Sequence, residues 1–283
     1  MHPVGDTLAG RQAGGQREGD SEAMSPPKRN WLKIIVDRAF ERLLYRRHRS
    51  LEFDLPIDKT RSAKNIVESL GVPHTEIGAL LADGHPVDFD FRPAGGCTLQ
   101  LLPVKPPLDV TRPSRLRPEP FDRLRFIVDV NVGKLALLLR MLGLDAAYCP
   151  EWGDRQIAER AEGERRVVLS KDVELLKQRR IRYGRMVRAS RPEGQLAEVA
   201  GFFGIQEFQR PFSRCLRCNT ELVTVEKHRI LEQLEPKTRK YYHRFKRCPD
   251  CRRIFWQGSH HERMIERLEN LGLVISPERP SAD

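Results

Sequence analysis

Two Cys-x2-Cys pairs, "CLRC" at 215–218 and "CPDC" at 248–251, stand 29 residues apart and constrain the chain more than any other feature. Four thiols in two such knuckles suit tetrahedral zinc, and a site closed by four protein ligands is structural. Iron is the competing metal. Cys215, Cys218, Cys248 and Cys251 are therefore the expected zinc ligands, pinning a segment too small for a good core of its own. In a reducing compartment, pairs at this spacing read as metal ligands rather than disulfides. Cys97 and Cys149, each alone in an apolar run, read as buried inert thiols.

The segment that the knuckles hold is basic and aromatic. Residues 211–265 carry 13 Lys+Arg against 6 Asp+Glu, a large part of a net charge of +11. Such a surface attracts polyanions, nucleic acid first and anionic membrane second. In "KTRKYYHRFKR" and "RRIFWQGSHHERM", Arg244, Lys246 and Arg247 can neutralise phosphates. Tyr241, Tyr242, Phe245 and Trp256 offer faces on which unpaired bases stack. Trp256 and Phe255 serve equally well as the ribbon's own small core.

Prolines divide the rest. The stretch "LLPVKPPLDVTRPSRLRPEP" at 101–120 holds six of them, a density that excludes helix and predicts an extended, semi-rigid linker over 106–122. Residues 1–28 are Gly-rich, polar and aperiodic, and are expected to be disordered. Between them, 29–105 reads as a small α+β roll. It has strands "KIIVDRAF" and "LEFDLP", a helix capped by Ser62 and ended at Gly71, an Asp83–Gly84 hairpin turn, and a closing strand "CTLQLLPV". No run approaches the roughly 18 apolar residues of a membrane span. The first residues lack a signal-peptide pattern. A cytoplasmic protein without a membrane partner is the expectation.

From 123 to 210 the pattern becomes strand, helix, strand, helix, strand, predicting an α/β fold with a parallel sheet covered on both faces. The ribbon follows over 211–272 and a tail over 273–283. Two apolar strands of this unit end in acids: "FIV" at Asp129 and "VVLSK" at Asp172. Functional groups of an open parallel sheet gather outside the carboxyl ends of its strands, so both acids are expected in one crevice. Asp154, opening "DRQIAERAEG", can be delivered to the same edge, or can simply cap its helix. Three converging carboxylates repel one another unless a hard cation such as Mg²⁺ or Mn²⁺ joins them. Such an ion activates water for attack on a phosphodiester. Asn131 could orient that water, and Lys134 and Lys171 could pair with phosphates. Glu159 and Glu174 are weaker candidate ligands, as helical acids usually face solvent.

Particular phrases carry a resemblance. "RFIVDVNVGKLALLLRMLGLDAAY", "GDRQIAERA" and "RRVVLSKDVELLK" resemble the Mut7-C RNase domain, a PIN-like nuclease fold followed by a zinc ribbon, over about 123–267. "SLGVPHTEIGALLADGHPVDF" resembles the ubiquitin-like (β-grasp) domain found ahead of such nucleases. The resemblance implies metal-binding acids at Asp129, Asp154 and Asp172, and a metal-dependent ribonuclease acting on RNA. Lys171 stands where the family more often has Arg, and "GDRQ" is more basic than the family's run, which puts a fourth acid ligand in doubt. "FWQGSHHERM" resembles the family block "YWxGSHxxRM", which makes His260 a candidate substrate contact. The β-grasp unit runs on into the chain without a free Gly-Gly end. It is therefore expected to recruit a protein partner or to act as a folded spacer. The alternative for the whole chain is a non-catalytic RNA- or ribosome-binding protein stapled by zinc.

Overall fold

Alternation sets up the N-terminal sheet. In β1 (Trp31–Val36) every second side chain, Leu32, Ile34 and Val36, is buried. This is the period-two pattern of a half-covered strand. The computed structural model describes residues 30–48, 50–57, 60–208, 210–258, 265–266 and 274–275. The segment 1–28 expected to be disordered lies outside the described residues. After β1 come β2 (Glu52–Pro56), α1 (Ala63–Ser69), β3 (Ile77–Ala82), β4 (His85–Val87) and β5 (Thr98–Pro103). The sheet order is β2-β1-β5-β3-β4, with β1 and β5 parallel at its centre and the other pairs antiparallel. Ser62 Oγ caps α1 by accepting from the Asn65 N–H at 3.4 Å. Asp83 and Gly84 turn the β3–β4 hairpin with both φ positive, +48° and +82°. That is the conformation which favours Asp-Gly in a two-residue hairpin.

The central unit is a four-stranded parallel sheet in the order β7-β6-β8-β9. Its elements are β6 (Phe126–Val128), α2 (Gly133–Met141), β7 (Ala146–Ala147), α3 (Asp154–Gly163), β8 (Val167–Ser170), α4 (Val173–Leu176), β9 (Gly184–Met186) and α5 (Pro192–Phe203). Alternate side chains go to opposite faces. Phe126, Val128, Val167 and Leu169 pack with Leu135 and Leu139 of α2 and with Leu196 and Val199 of α5. Ile127 and Val168 pack with Ile157 and Ala158 of α3 and with Leu175 and Leu176 of α4. Each strand is thus buried on both sides, which is why it reads as an unbroken apolar run.

β10 (Glu207–Phe208) leads to the ribbon, an antiparallel sheet β11-β12-β13. It comprises β11 (Val223–Val225), α6 (Pro236–Tyr241), β12 (Phe245–Arg247) and β13 (Ile254–Trp256). β14 (Val274–Ile275) returns to pair in parallel with β10. The start of the expected tail is therefore part of a sheet.

The proline-rich segment has no helix or strand, as expected, but it does not hang between its neighbours. Val110, Leu116 and Phe121 are buried. Arg117, 4% exposed, donates to the carbonyls of His74, Thr75 and Ile77 on one side and of Arg182 on the other, at 3.0–3.1 Å. The prolines supply an extended path through which a buried cation joins the two units. Around it, buried Glu76 accepts from Arg185 at 2.7 Å and from the Met186 N–H at 2.8 Å. His74 Nε2 lies 2.7 Å from the Ile181 carbonyl oxygen.

Candidate active site and metal centre

β6 and β8 are neighbours, and the chain order reverses between them because β7 lies on the far side of β6. A crevice opens at the carboxyl ends of strands arranged this way. Asp129 leaves β6 there, 5% exposed. Its Oδ1 accepts from the Val130 N–H at 2.6 Å, and its Oδ2 from Asn131 Nδ2 and Ser170 Oγ, each at 2.6 Å. Fully buried Ser170 also accepts from the Asp172 N–H at 2.8 Å and from Asn131 Nδ2 at 3.2 Å. Asn131 Oδ1 in turn accepts from the Lys171 N–H at 3.0 Å. One polar cluster therefore stitches the ends of the two central strands together. The Asn131 amide, expected to orient a water, is committed to this cluster.

Asp172 caps α4, its Oδ1 accepting from the N–H groups of Glu174 and Leu175 at 2.7 and 3.2 Å. Asp154 is the first residue of α3 and does not cap it. The N-cap is Gly153, whose N–H donates to Gln156 Oε1 at 3.2 Å. Partial desolvation, then the negative fields of Asp172 and Asp129, push the Asp154 carboxyl above its usual range. Asp154 thus lies within the fields of both strand-end acids. The three acids do not close tightly: among the described residues only the four cysteines bring three or more potential ligand atoms within 4.8 Å of one another.

The weaker acids go elsewhere. Glu159 pairs with Arg155 at 2.9 Å, and Glu174 with Lys177 at 2.8 Å and the Tyr45 hydroxyl at 3.1 Å, so neither is spare for a metal. Lys134 is exposed on the first turn of α2, and Lys171 is half-buried beyond β8.

The four cysteine sulfurs form the tight cluster, with Cys215 Sγ and Cys251 Sγ 3.6 Å apart. Tetrahedral zinc with sulfurs at about 2.3 Å implies sulfur–sulfur separations of about 3.8 Å, so the donor set fits. The Cys218 N–H donates to Cys215 Sγ at 3.4 Å. The Arg253 N–H holds the Cys251 thiol down to about 7, while burial and the neighbouring thiols push Cys218 up to about 12. The first knuckle is bolted to the central unit. Buried Arg140 of α2 donates to the carbonyls of Leu216 and Arg217 at 2.9 Å, and to that of Ala146 at 2.8 Å. Asn219 accepts from the Ala146 N–H at 3.0 Å and donates to Asp145 at 2.7 Å. Gly143, at φ +83°, lies so close to the Arg210 carbonyl that a Cβ would collide with it. Cys97 is buried as expected. Cys149 is only half-buried, and its thiol donates to Glu151 at 2.7 Å, which corrects the apolar reading.

On the ribbon, Phe245 is 1% exposed and packs with Ile230 and Leu234, so it is core and not a stacking face. Tyr241 is 64% exposed with the Lys240 ammonium 5.3 Å from its ring centre. Trp256 is 40% exposed, its ring 6.4 Å from those of Tyr242 and Phe245, so the ribbon core does not enclose it. Arg244 is exposed, and Lys246 and Arg247 lie half-buried on β12. Phe255 is half-buried, and His260 lies outside the described residues.

Sequence reasoning passed over Ser170, Arg117 and Arg140. Ser170 had a signal, the hydroxyl of "SKD" at a strand end. The arginines had none. No helix among the described residues is long and apolar enough to cross a membrane. No curated protein and no solved structure matches the chain. A family model described as the Mut7-C RNAse domain matches residues 124–268, just over half of the chain, and one described as Mut7-C ubiquitin matches residues 33–109. With its parallel sheet, its cysteine cluster and the mixed sheet ahead of them, the chain belongs to the Mut7-C RNAse domain family, carrying that family's ubiquitin-type domain at its N-terminal side.

Proposed function

We propose that the protein is a divalent-metal-dependent ribonuclease whose acids are Asp129, Asp154 and Asp172, with a zinc-held ribbon engaging the RNA. One observation carries the reading: Asp129 and Asp172 follow the carboxyl ends of the adjacent strands β6 and β8, and Asp154, its carboxyl raised by burial and then by the fields of those two acids, opens α3 beside them. Such a field calls for a cation. Mg²⁺ or Mn²⁺ fits a loose set of acids, because Mg²⁺ keeps several waters and takes only one or two carboxylates directly. When bound, the ion supplies an activated water and charge stabilisation at the phosphodiester.

The chain's own residues do the rest. Ser170 and Asn131 hold the Asp129 carboxylate in one orientation, each donating to its Oδ2 at 2.6 Å, and Asn131 also donates to Ser170 at 3.2 Å. Lys134 and Lys171 offset phosphate charge near the edge. Zinc in the Cys215, Cys218, Cys248 and Cys251 cluster keeps the ribbon folded. Arg244, Lys246 and Arg247 then bind the RNA backbone, and Trp256 and Tyr241 stack on bases. Purified protein should cleave total RNA only when Mg²⁺ or Mn²⁺ is added. Asp129→Asn should abolish cleavage and leave RNA affinity in place. Equal cleavage by parent and variant would remove the mechanism.

A second reading is an RNA- or ribosome-binding protein without turnover. It is favoured by the Asp129 oxygens, which already accept from Val130, Asn131 and Ser170. That reading requires salt-sensitive RNA binding that is indifferent to an Asp129→Asn/Asp172→Asn double variant and to the divalent ion.

A further inference from the structure

The β-grasp unit reaches the acid-bearing edge directly. Val173, the residue after Asp172, packs against the β-grasp core. Beside it the Tyr45 hydroxyl donates to Glu174 at 3.1 Å and accepts from the Lys177 ammonium at 2.8 Å. Glu174 in turn lies within the field of Asp172. Tyr45 is 40% exposed, with the Lys177 ammonium 4.7 Å and the Arg47 guanidinium 5.5 Å from its ring centre. The chain that carries it is cationic: residues 38–49 hold five arginines and one glutamate. Arg42, Arg46 and Arg47 are exposed. Arg47 bonds only neutral groups among the described residues, His48 and the Ser69 carbonyl, so its charge is not cancelled.

Lys177, 8% exposed and paired with Glu174, fixes the hydroxyl end of Tyr45. The exposed ring beside the Arg47 guanidinium, on a cationic loop next to the acid edge, has the composition of a single-strand platform: phosphates on the arginines, a base on the ring. We infer that Tyr45, Arg46 and Arg47 of the β-grasp unit form part of the RNA-binding surface, contacting the strand as it enters the crevice of Asp129, Asp154 and Asp172. This rests on the ribonuclease reading above. It gives the ubiquitin-type domain a role in substrate binding rather than in recruiting a protein.

The test is fluorescence anisotropy with a labelled single-stranded oligouridylate, using the full chain carrying Asp129→Asn, over a series of KCl concentrations. Adding Arg46→Glu and Arg47→Glu should weaken binding about tenfold or more. It should also flatten the log–log salt dependence by about 1.4, for two phosphates at about 0.7 each. The control, Arg123→Glu with Arg165→Glu, makes the same charge change just ahead of β6 and β8, at the opposite edge of the sheet. It should cost much less. Tyr45→Ala should lose about fivefold or more, and Tyr45→Phe, which keeps the ring, under twofold. Melting midpoints within a few degrees of the parent's keep these losses from being unfolding. Equal losses in the loop variant and the control, or none in either, would overturn the inference and leave the ribonuclease reading standing. A parent that binds no RNA would overturn both.

Discussion

Replacing Arg117 by Met removes a buried cation while roughly keeping its volume. Four backbone carbonyls, three in the β-grasp unit and one in the central unit, lose this donor, and that of His74 keeps the Ile77 N–H. A buried acceptor left unpaired costs about 1–3 kcal/mol, so the other three at about 1.5–2 each cost about 4.5–6 kcal/mol. The replacement also removes a penalty. Burial depresses the guanidinium to about 10 from its usual 12.5, worth about 3 kcal/mol at about 1.4 per unit. The difference is a net loss of about 1.5–3 kcal/mol. For a body of this size that is roughly 5–10 °C in the melting midpoint. The loss falls at the junction, so calorimetry should show one transition in the parent and two in the variant. Arg117→Lys keeps the charge but has three donors for four acceptors, and should lose about half as much. A change under about 1 kcal/mol for Arg117→Met, with a single transition retained, would refute the view that this side chain joins the units.

Asp154→Asn tests the field at the edge. The folded protein holds the Asp154 proton more tightly than the unfolded chain does, so its ionisation destabilises the metal-free fold as pH rises through the raised value. The variant should therefore be more stable than the parent at neutral pH without divalent ion, by about 0.5 kcal/mol after solvent screening. The difference should vanish below pH of about 3.9, and chemical denaturation at both pH values checks the sign. Ser170→Ala removes the buried hydroxyl shared by Asp129, Asn131 and the Asp172 N–H; it should cost about 1–3 kcal/mol in urea titration and lower metal-dependent cleavage without weakening RNA binding. Arg140→Met should weaken zinc by about 10–100-fold, read by chelator competition. Unchanged zinc affinity would mean that the first knuckle does not lean on α2.

What the sequence disclosed was local or periodic. The two cysteine pairs, the Asp83–Gly84 turn, the Ser62 cap and the doubly buried strands at 126–128 and 167–170 each depend on neighbours within a few residues. Asp129 and Asp172 were legible because a strand end is visible in a hydropathy pattern, and a parallel sheet puts such ends on one side. What stayed hidden depends on contacts across the fold. Ser170 becomes a hub only because β6 and β8 are adjacent. Arg117 sits among prolines and charges, where an arginine reads as surface. Its partners lie 40 and more residues away in sequence. Phe245 looked like one aromatic among several, and only the ribbon's closure around Ile230 and Leu234 makes it core. Proline density reports backbone stiffness and says nothing about what packs against it, so the packing of 106–122 was not legible.

The way Arg140, Asn219 and Gly143 grip the chain around Cys215 and Cys218 makes the two halves of the metal site unequal partners. One half is held by a sheet and helix whose apolar core includes none of the four cysteines, while the pair at 248–251 is carried by its own hairpin. Capture of an ion there would be a closure of the second pair onto the first. A ribbon cut free of the body would have to organise both halves at once and would compete poorly for scarce metal.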